Sequence, residues 1–299
     1  MKRLIFTGAL LFGLACSGTL LSVPNPGAGT GDGVREGELR ADGDTEGTYA
    51  LIRACGYNYE TPDRSGAHAA ASFQHIRQAW DEALGAHVFE FIIHIDTDDD
   101  RGKPQITDRQ RNEIKTDGHS PASMVGQPGD ELVVRWKFRL PEGMKTTAQF
   151  CHVHQIKGID NAAGTADVGN PLITFTARTL SNGRRQLQVI WVGPTADATG
   201  NVYLARADLA DFLGRWVEVE ERIVCGREGS YWVTVTRLDD GRRLIDVPPK
   251  QLNMWREGAT GLRPKWGIYR SFGKQGALKS ELRDEILRFA DFSVGKVAR

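Results

Sequence analysis

Short stretches in which apolar and polar residues alternate recur along most of the chain, and they constrain the fold more than any other feature. Such alternation predicts half-buried strands at residues 88–95, 131–140, 171–178, 186–192, 216–224, 231–238 and 286–294, separated by Gly, Asn, Asp and Pro. Helices are predicted only at 72–84 and 278–285, with a short turn at 206–213. Since strands and helices do not alternate, we expect an all-β, two-sheet sandwich of jelly-roll type.

The N-terminal residues have the features of an export signal followed by a linker. Lys2 and Arg3 precede the apolar run 4–14, and small polar residues follow, so residues 1–22 are predicted to be a secretory signal. Lipidation at Cys16 is the alternative. Residues 23–48, rich in Gly, Asp, Glu and Thr, are predicted to be a disordered linker, and residues 49–299 form the domain. A secreted or periplasmic protein is expected.

The overall composition excludes some classes of function. The 299 residues carry a formal net charge of zero, which gives no general electrostatic case for binding nucleic acid. No apolar run is long enough to be a convincing membrane span. Cys55, Cys151 and Cys225 permit at most one disulfide, and the strand-like surroundings of Cys151 and Cys225 favour buried, unreactive thiols. We expect a monomer.

Residues 265–270 (Lys-Trp-Gly-Ile-Tyr-Arg) carry the clearest chemical signal. In a strand, Lys265, Gly267 and Tyr269 share one face, and the apolar Trp266 lies on the other. The glycine is predicted to leave space for a ligand between its two neighbours on that face. Tyr269 is a candidate proton carrier, and Lys265 either stabilises its phenolate or binds substrate.

A second segment, residues 109–115, places Arg109, Arg111, Glu113 and Lys115 on one strand face, opposite Ile114. A row of charges normally faces solvent. The functional alternative is a groove in which the planar fork of Arg111 pairs with a ligand carboxylate, while Glu113 holds the neighbouring cations in place.

A third segment, residues 150–157, contains both amide and imidazole groups. Alternation places Gln155 and Lys157 on one face and His152, His154 and Ile156 on the other, unless a bulge intervenes. An amide and an ammonium suit a sugar carboxylate. The two histidines are weak evidence for zinc and are interpreted as core or supporting residues.

The acidic residues 96–100 could bind calcium, but they lack the spacing of a known loop, so a solvated acidic loop is expected. The sequence therefore predicts no cofactor and no metal ligands.

The three segments occur in the same order as the signature strands of alginate-lyase-like enzymes, which read Arg-Ser/Thr-Glu-Leu/Val-Arg, Gln-Ile/Val-His and Tyr-Phe-Lys-Ala-Gly-x-Tyr. Over residues 89–292 the chain resembles jelly-roll polysaccharide lyases of the concanavalin-like fold, near the glucuronan lyase and heparin lyase I groups. It departs from the alginate pattern in two places. Lys157 stands where alginate lyases carry His, and Lys265 precedes Tyr269 by four residues, as in heparin lyase I, rather than by three.

The resemblance implies a secreted lyase that cleaves a uronate-containing polysaccharide by β-elimination. Arg111, Gln155 and Lys157 would neutralise the C6 carboxylate, and Tyr269 would protonate the leaving oxygen. Either Tyr269 or His152 would remove the C5 proton. The implied catalytic residues are Tyr269, Lys265, Arg111, Gln155 and His152. The implied substrate-binding residues are Lys157, Glu113, Lys115, Arg270 and Arg109.

Two other classes of function stay open. A retaining glycoside hydrolase needs two carboxylates about 5 Å apart. Laminarinase-like enzymes place them as Glu-x-Asp-x-x-Glu on one strand, which Glu218, Glu220 and Glu221 do not reproduce. A carbohydrate-binding sandwich without catalysis would also be exported, but it gives no reason for Arg111 and Tyr269 to converge.

Overall fold

Fifteen strands and a few short helices make up the computed structural model, which describes residues 34–64, 66–193 and 201–298. The strands are β1 (Val34–Leu39), β2 (Asn58–Glu60), β3 (Ile76–Asp81), β4 (Ala86–Ile93), β5 (Arg109–Lys115), β6 (Glu131–Arg139), β7 (Cys151–Ile159), β8 (Ile173–Thr179), β9 (Arg185–Val192), β10 (Asn201–Asp208), β11 (Trp216–Val224), β12 (Gly226–Arg237), β13 (Arg243–Met254), β14 (Gly261–Ser271) and β15 (Glu285–Val297). The helices are α1 (Thr48–Ala54) and α2 (Gly66–Ala70). Single 3-10 turns occupy Pro62–Arg64, Ala122–Met124, Leu209–Asp211, Lys274–Gly276 and Lys279–Glu281.

The strands form two antiparallel sheets. One has the order β13-β12-β11-β6-β15-β4-β3, with β1 paired to β15. The other has the order β10-β9-β8-β7-β14-β5-β2. Several neighbours are distant in sequence, such as β6 with β11 and β15 and β14 with β5 and β7, as crossovers between the two layers require. The all-β, two-sheet prediction is confirmed.

Aromatic side chains from both sheets pack between the layers. Trp136 of β6 stacks on Phe138 at a centroid distance of 4.8 Å, and Trp266 of β14 lies 5.2 Å from Phe292 of β15. Because Trp266 faces inward, its strand neighbour Lys265 faces the outer side of the seven-stranded sheet. Burial of one such aromatic side chain stabilises the fold by roughly 1.5–3 kcal/mol. Within the described part, Cys151 and Cys225 are free thiols buried as predicted.

The helix predicted at 72–84 is wrong, since residues 76–81 at the centre of this segment form β3, which pairs with β4. The segment contains good helix formers, but its buried polar residues bond to distant parts of the sandwich. Asp81 is buried and accepts a hydrogen bond from Trp216 Nε1 at 3.0 Å. Buried Gln78 accepts one from Gly43 N at 2.8 Å. These tertiary contacts override local helix propensity.

The linker predicted at 23–48 is too long. From Val34 onward the chain pairs with β15, and Gln78 Nε2 donates to Asp42 Oδ1 at 3.0 Å. Backbone pairing thus orders a segment with few aliphatic side chains. The predicted signal at 1–22 lies outside the described residues.

The two other predicted helical segments are only partly helical. Residues 206–213 begin as the end of strand β10 and continue into a 3-10 turn, and the helix predicted at 278–285 is reduced to the turn Lys279–Glu281. Across the described ranges, no helix is both long and apolar enough to cross a bilayer.

Candidate active site

The three chemically distinctive segments lie side by side in the seven-stranded sheet, where β14 pairs with β5 on one side and β7 on the other. Lys265 is opposite Lys115 and Gln155. Tyr269 is opposite Arg111 and His152. The register therefore brings the predicted catalytic side chains from remote parts of the chain to one outer sheet face.

Tyr269 is held between two guanidinium groups. Arg111 stacks on the phenol ring at 3.7 Å from its centroid, and Arg109 Nη1 donates to Tyr269 Oη at 2.9 Å. The ring of Phe150 lies 4.9 Å away, and Tyr269 is 9% exposed. The cation that donates to the phenol oxygen is thus Arg109, whereas the prediction gave Lys265 either that role or substrate binding. Because Arg109 supplies a donor to that oxygen, the phenol proton must point elsewhere.

His152 joins this face because of a bulge. The register shifts between His152 and His154 in the pairing with β8, and between Trp266 and Tyr269 in the pairing with β14. A bulge reverses the alternation, so the two histidines point to opposite sides. His154 lies in the core, with Nε2 2.9 Å from Glu221 Oε1. The bulge that the prediction allowed for is present, so the two histidines do not share a face and cannot bind one metal ion together.

The ring of His152 lies 5.8 Å from that of Tyr269, and its Nδ1 is 2.8 Å from Thr176 Oγ1. Burial lowers the pKa of His152 to about 3, with Glu113 acting in the opposite direction and Arg178 in the same one. His152 is therefore neutral near pH 7. A neutral imidazole fixed by Thr176 can take part in hydrogen bonding beside Tyr269, but such a low pKa makes it a weak base.

Two carboxylates organise the cations beneath Tyr269. Glu60 of β2 and Glu113 of β5 each lie 2.7 Å from Lys265 Nζ. Arg111 Nη1 is 3.1 Å from Glu60 and 3.2 Å from Glu113, and Arg111 Nε is 2.9 Å from Asp100 Oδ1. Glu113 and Lys265 are almost fully buried. The cations that contact Glu60 and Glu113 carry more positive charge than the two carboxylates carry negative charge.

The ion pairs determine the protonation of these acids. Burial alone would raise the pKa of Glu60 and Glu113, but Lys265 and Arg111 lower both values below the ordinary one. Burial also lowers the pKa of Lys265, to about 8, because Glu113 and Glu60 only partly compensate for it. Near neutral pH the cluster therefore contains two ionised carboxylates held by cations.

The remaining predicted polar residues surround this cluster. Gln155 Nε2 donates to Glu113 Oε1 at 2.5 Å, and Lys115 Nζ lies 3.0 Å from Glu60 Oε1. Lys157 Nζ donates to Gly169 O at 2.9 Å. Burial, with Lys265 and Arg111 nearby, lowers the pKa of Lys157 to about 7. Lys157 thus loses its charge within the neutral range.

Among the described residues, the cations around this cluster outnumber the carboxylates paired with them, which favours an anionic ligand. The cations of the face are Arg101, Arg109, Arg111, Lys115, Lys157, Arg263 and Lys265. The carboxylates paired with them are Glu60, Asp100, Asp108 and Glu113.

Arg270 does not belong to the site, and its predicted substrate-binding role is wrong. It follows Tyr269 in the strand and therefore points to the opposite side. Its Nε donates to Gln110 Oε1 at 2.7 Å and its Nη2 donates to Arg283 O at 2.8 Å, in a buried position. Arg270 joins β14 to its neighbours inside the protein.

Gly267 also has a different role from the predicted one. Its φ of +142° is a conformation that favours glycine, and a Cβ atom there would lie 2.1 Å from Asn112 O on β5. The missing side chain therefore allows close approach of two strands and does not make space for a ligand.

Several site residues were not predicted from the sequence, among them Glu60, Thr176 and Asp100. Glu60 lies in a strand of three residues, Thr176 in an ordinary β8 pattern, and Asp100 in the predicted solvated acidic loop. That loop prediction is wrong for Asp98 and Asp100, which are buried, and only Asp96 fits it well. The acidic run was the single available signal, and it did not indicate which carboxylates turn inward.

Solved structures with a similar fold include polysaccharide lyases. Family 7 alginate lyase A1-II′ in complex with product superposes with a TM-score of 0.53 and 14% identity, over 81% of this chain and 95% of that one. A double-cysteine variant of the same lyase gives 0.52 and 16%, over 84% and 97%. The endo-β-1,4-glucuronan lyase of the fungus Trichoderma reesei gives 0.47 and 16%, over 74% and 86%. No protein-family model and no curated protein matches the sequence. The likeness to A1-II′ establishes the jelly-roll fold.

Proposed function

We propose that this protein is a polysaccharide lyase that cleaves a uronate-containing polymer by β-elimination. The observation that supports this most is the placement of Tyr269 against Arg109, Arg111 and His152, beside a cation-rich face. The fold is shared with alginate lyase A1-II′, whose structures include product and substrate complexes, and alginate is itself a uronate polymer.

Recognition of the uronate carboxylate is assigned to Arg111, Gln155 and Lys157. In β-elimination the C5 proton leaves and negative charge accumulates on the C6 carboxylate before the bond from C4 to the leaving oxygen breaks. Donors aimed at that carboxylate stabilise the transition state more than the ground state, by about 3 kcal/mol for one donor. Contacts with Glu113 hold Arg111 and Gln155 in position, so little reorganisation accompanies the reaction.

Proton transfer is assigned to Tyr269. Arg109 donates a hydrogen bond to the phenol oxygen, which directs the phenol proton away from Arg109. On the other side of the oxygen, this proton can reach the leaving C4 oxygen. If both groups lie on one side of the sugar, Tyr269 can act as both base and acid: its phenolate accepts the C5 proton and then donates that proton to the leaving C4 oxygen, which restores the phenolate. His152 is the second candidate for the base, and its neutral imidazole beside Tyr269 supports a role in orienting the sugar or the phenol.

A glycoside hydrolase is the main rival, because Glu60 and Glu113 both contact Lys265 Nζ at 2.7 Å and are therefore neighbouring carboxylates, and a retaining hydrolase uses two carboxylates about 5 Å apart. Such an enzyme needs one carboxylic acid that stays protonated near neutral pH. The cations lower the pKa of both carboxyl groups, so neither is suited to be that acid.

A non-catalytic carbohydrate-binding sandwich is the second rival. It would use the same cationic face, but it would not require a tyrosine whose hydroxyl is held by a guanidinium.

We further propose that the protein acts outside the cytoplasm as a monomer, on the basis of the signal-like residues 1–22 and a polymeric substrate.

The experiment that tests the proposed function measures two products in parallel. The protein is incubated with alginate, glucuronan, heparin and ulvan, and both ultraviolet absorbance of unsaturated uronate and reducing ends are followed. A lyase produces the two signals in equal amounts. Reducing ends without absorbance would indicate a hydrolase, and polymer binding with neither signal would indicate a carbohydrate-binding protein. Either of these results contradicts the proposal.

A further inference from the structure

Three histidines and one aspartate meet beside the candidate active site, although they come from separate segments. His68 lies in α2, His75 directly precedes β3, His94 directly follows β4, and Asp98 lies in the loop that follows. One donor atom from each residue lies within 4.8 Å of the other three. The chain has seven histidines, so nearly half of them converge here.

Three of the donor separations are close to those around a small divalent ion. His68 Nε2 and His75 Nε2 lie 3.1 and 3.0 Å from Asp98 Oδ1, and His94 Nδ1 lies 3.3 Å from Asp98 Oδ2. Zinc binds His nitrogen and carboxylate oxygen at about 2.0–2.2 Å in tetrahedral geometry, so neighbouring ligand atoms are about 3.3 Å apart. The three distances to Asp98 are close to this spacing, and all four donor atoms lie within 4.8 Å of one another.

His94 supplies an independent indication. Its Nδ1 is buried and makes no hydrogen bond, even though Asp98 Oδ2 is near it at 3.3 Å. A buried imidazole nitrogen without a hydrogen bond is costly unless another ligand satisfies it. Its position beside the other three donors identifies that ligand as a shared cation.

The surroundings resemble the outer shell of a metal site. His75 Nδ1 contacts the carboxylate of Asp63, which also accepts a hydrogen bond from Tyr49. A carboxylate on the second ring nitrogen fixes the orientation of a metal-binding histidine. The ring of Phe73 lies 5.1 Å from His68 and 4.8 Å from His75, and so covers the cluster with an apolar side chain.

From this geometry we propose that His68, His75, His94 and Asp98 bind one divalent transition-metal ion, with zinc the best match to three imidazoles and one carboxylate. All four positions of a tetrahedron come from the protein, so the site is structural and not catalytic. The proposal is independent of the proposed lyase activity, and it differs from the sequence prediction of no metal ligands.

The metal would connect the cluster to the candidate active site. Gln110 Nε2 donates to His94 O at 2.9 Å, and Asn112 Nδ2 donates to His75 O at 2.9 Å. Both donors lie on the inner face of β5, whose outer face carries Arg111. The loop that holds Asp98 also supplies Asp100 to Arg111. The ion would therefore fix the loop that helps to position Arg111.

The test uses the full-length protein prepared without a histidine tag. After dialysis against Zn²⁺ and removal of free ion, we expect elemental analysis to give about one zinc per chain. A chelator should then lower the melting temperature by roughly 5–10 °C. The Co²⁺-loaded protein should show the intense visible absorption of a tetrahedral ion.

Variants separate this site from adventitious binding. His94→Ala should lose the stoichiometric zinc and the effect of chelator on the melting temperature, whereas His119→Ala, at a side chain that is 97% exposed, should retain both. Asp63→Asn keeps all four ligands and should weaken zinc binding by about 10- to 100-fold. It serves as the test if His94→Ala fails to fold.

Three results would overturn the proposal. No stoichiometric zinc and no effect of zinc or chelator on melting would mean that the residues form a hydrogen-bonded ion cluster only. Zinc retained by both His94→Ala and Asp63→Asn would mean an adventitious ion only. An octahedral Co²⁺ spectrum would exclude the four-ligand geometry.

Discussion

Replacing Glu113 with glutamine removes the charge at the centre of the candidate site while keeping the shape of the side chain. Glu113 is fully buried, lies 2.7 Å from Lys265 and 3.2 Å from Arg111, and accepts a hydrogen bond from Gln155. Removal of one partner from a buried ion pair destabilises a protein by about 3–5 kcal/mol. Since Glu60 still contacts both cations, we expect a loss near the lower limit, about 3 kcal/mol.

The assay is thermal unfolding of Glu113→Gln beside a matched control. For a domain of this size, about 3 kcal/mol corresponds to a fall in melting temperature of roughly 6–12 °C. Glu257→Gln removes an exposed ion pair with Arg227 and should change the melting temperature by less than about 2 °C. A Glu113→Gln protein as stable as this control would refute the reasoning that the buried cluster depends on its central carboxylate.

The sign of the pH dependence gives a second readout of the same variant. Because the folded protein lowers the pKa of Glu113, its contribution is present above the unfolded value near 4.5 and is lost as pH falls through the folded value. Wild-type stability should therefore fall more steeply in acid than the stability of Glu113→Gln. Parallel acid profiles would contradict this assignment.

Two further predictions concern Lys157 and Gly267. The pKa of Lys157 is about 7, so its charge is lost as pH rises through 7, and the KM for a uronate polymer should rise above that pH. Lys157→Met should flatten this rise, and identical KM profiles would exclude Lys157 from binding. Gly267→Ala adds a Cβ atom at a residue with a φ of +142°, and this atom would lie 2.1 Å from Asn112 O. We expect the free energy of unfolding in urea to fall by about 2–5 kcal/mol. An unchanged urea midpoint would contradict the close strand approach.

The sequence predicts which strand faces carry charge because the strand period is two. Alternation correctly places Arg109, Arg111, Glu113 and Lys115 on one face, and it equally implies that Arg270 points away from Tyr269. The pairing of β14 with both β5 and β7 is a long-range property. Local sequence pattern alone does not predict this pairing. The order of the three motifs predicted it only through their resemblance to alginate-lyase-like enzymes.

Features that depend on a single-residue irregularity or on tertiary contacts were missed. The bulge after His152 moves that residue to the face of Tyr269, and no signal in residues 150–157 marks its position. Glu60 contributes from a strand of only three residues. His68 and His75 lie in or near the segment predicted to be helical, so their approach to His94 depends on the β3–β4 hairpin that replaces the helix.

The most direct test of the central claim compares wild type with Tyr269→Phe on the uronate polymer that the wild type cleaves. The variant removes only the hydroxyl that accepts from Arg109 and keeps the ring on Arg111. We predict that formation of unsaturated uronate falls by about 100- to 10,000-fold while polymer binding stays unchanged. Tyr203→Phe, on strand β10, should keep wild-type activity. Turnover by Tyr269→Phe within about tenfold of wild type would contradict the account, because a proton-transfer residue contributes more than that.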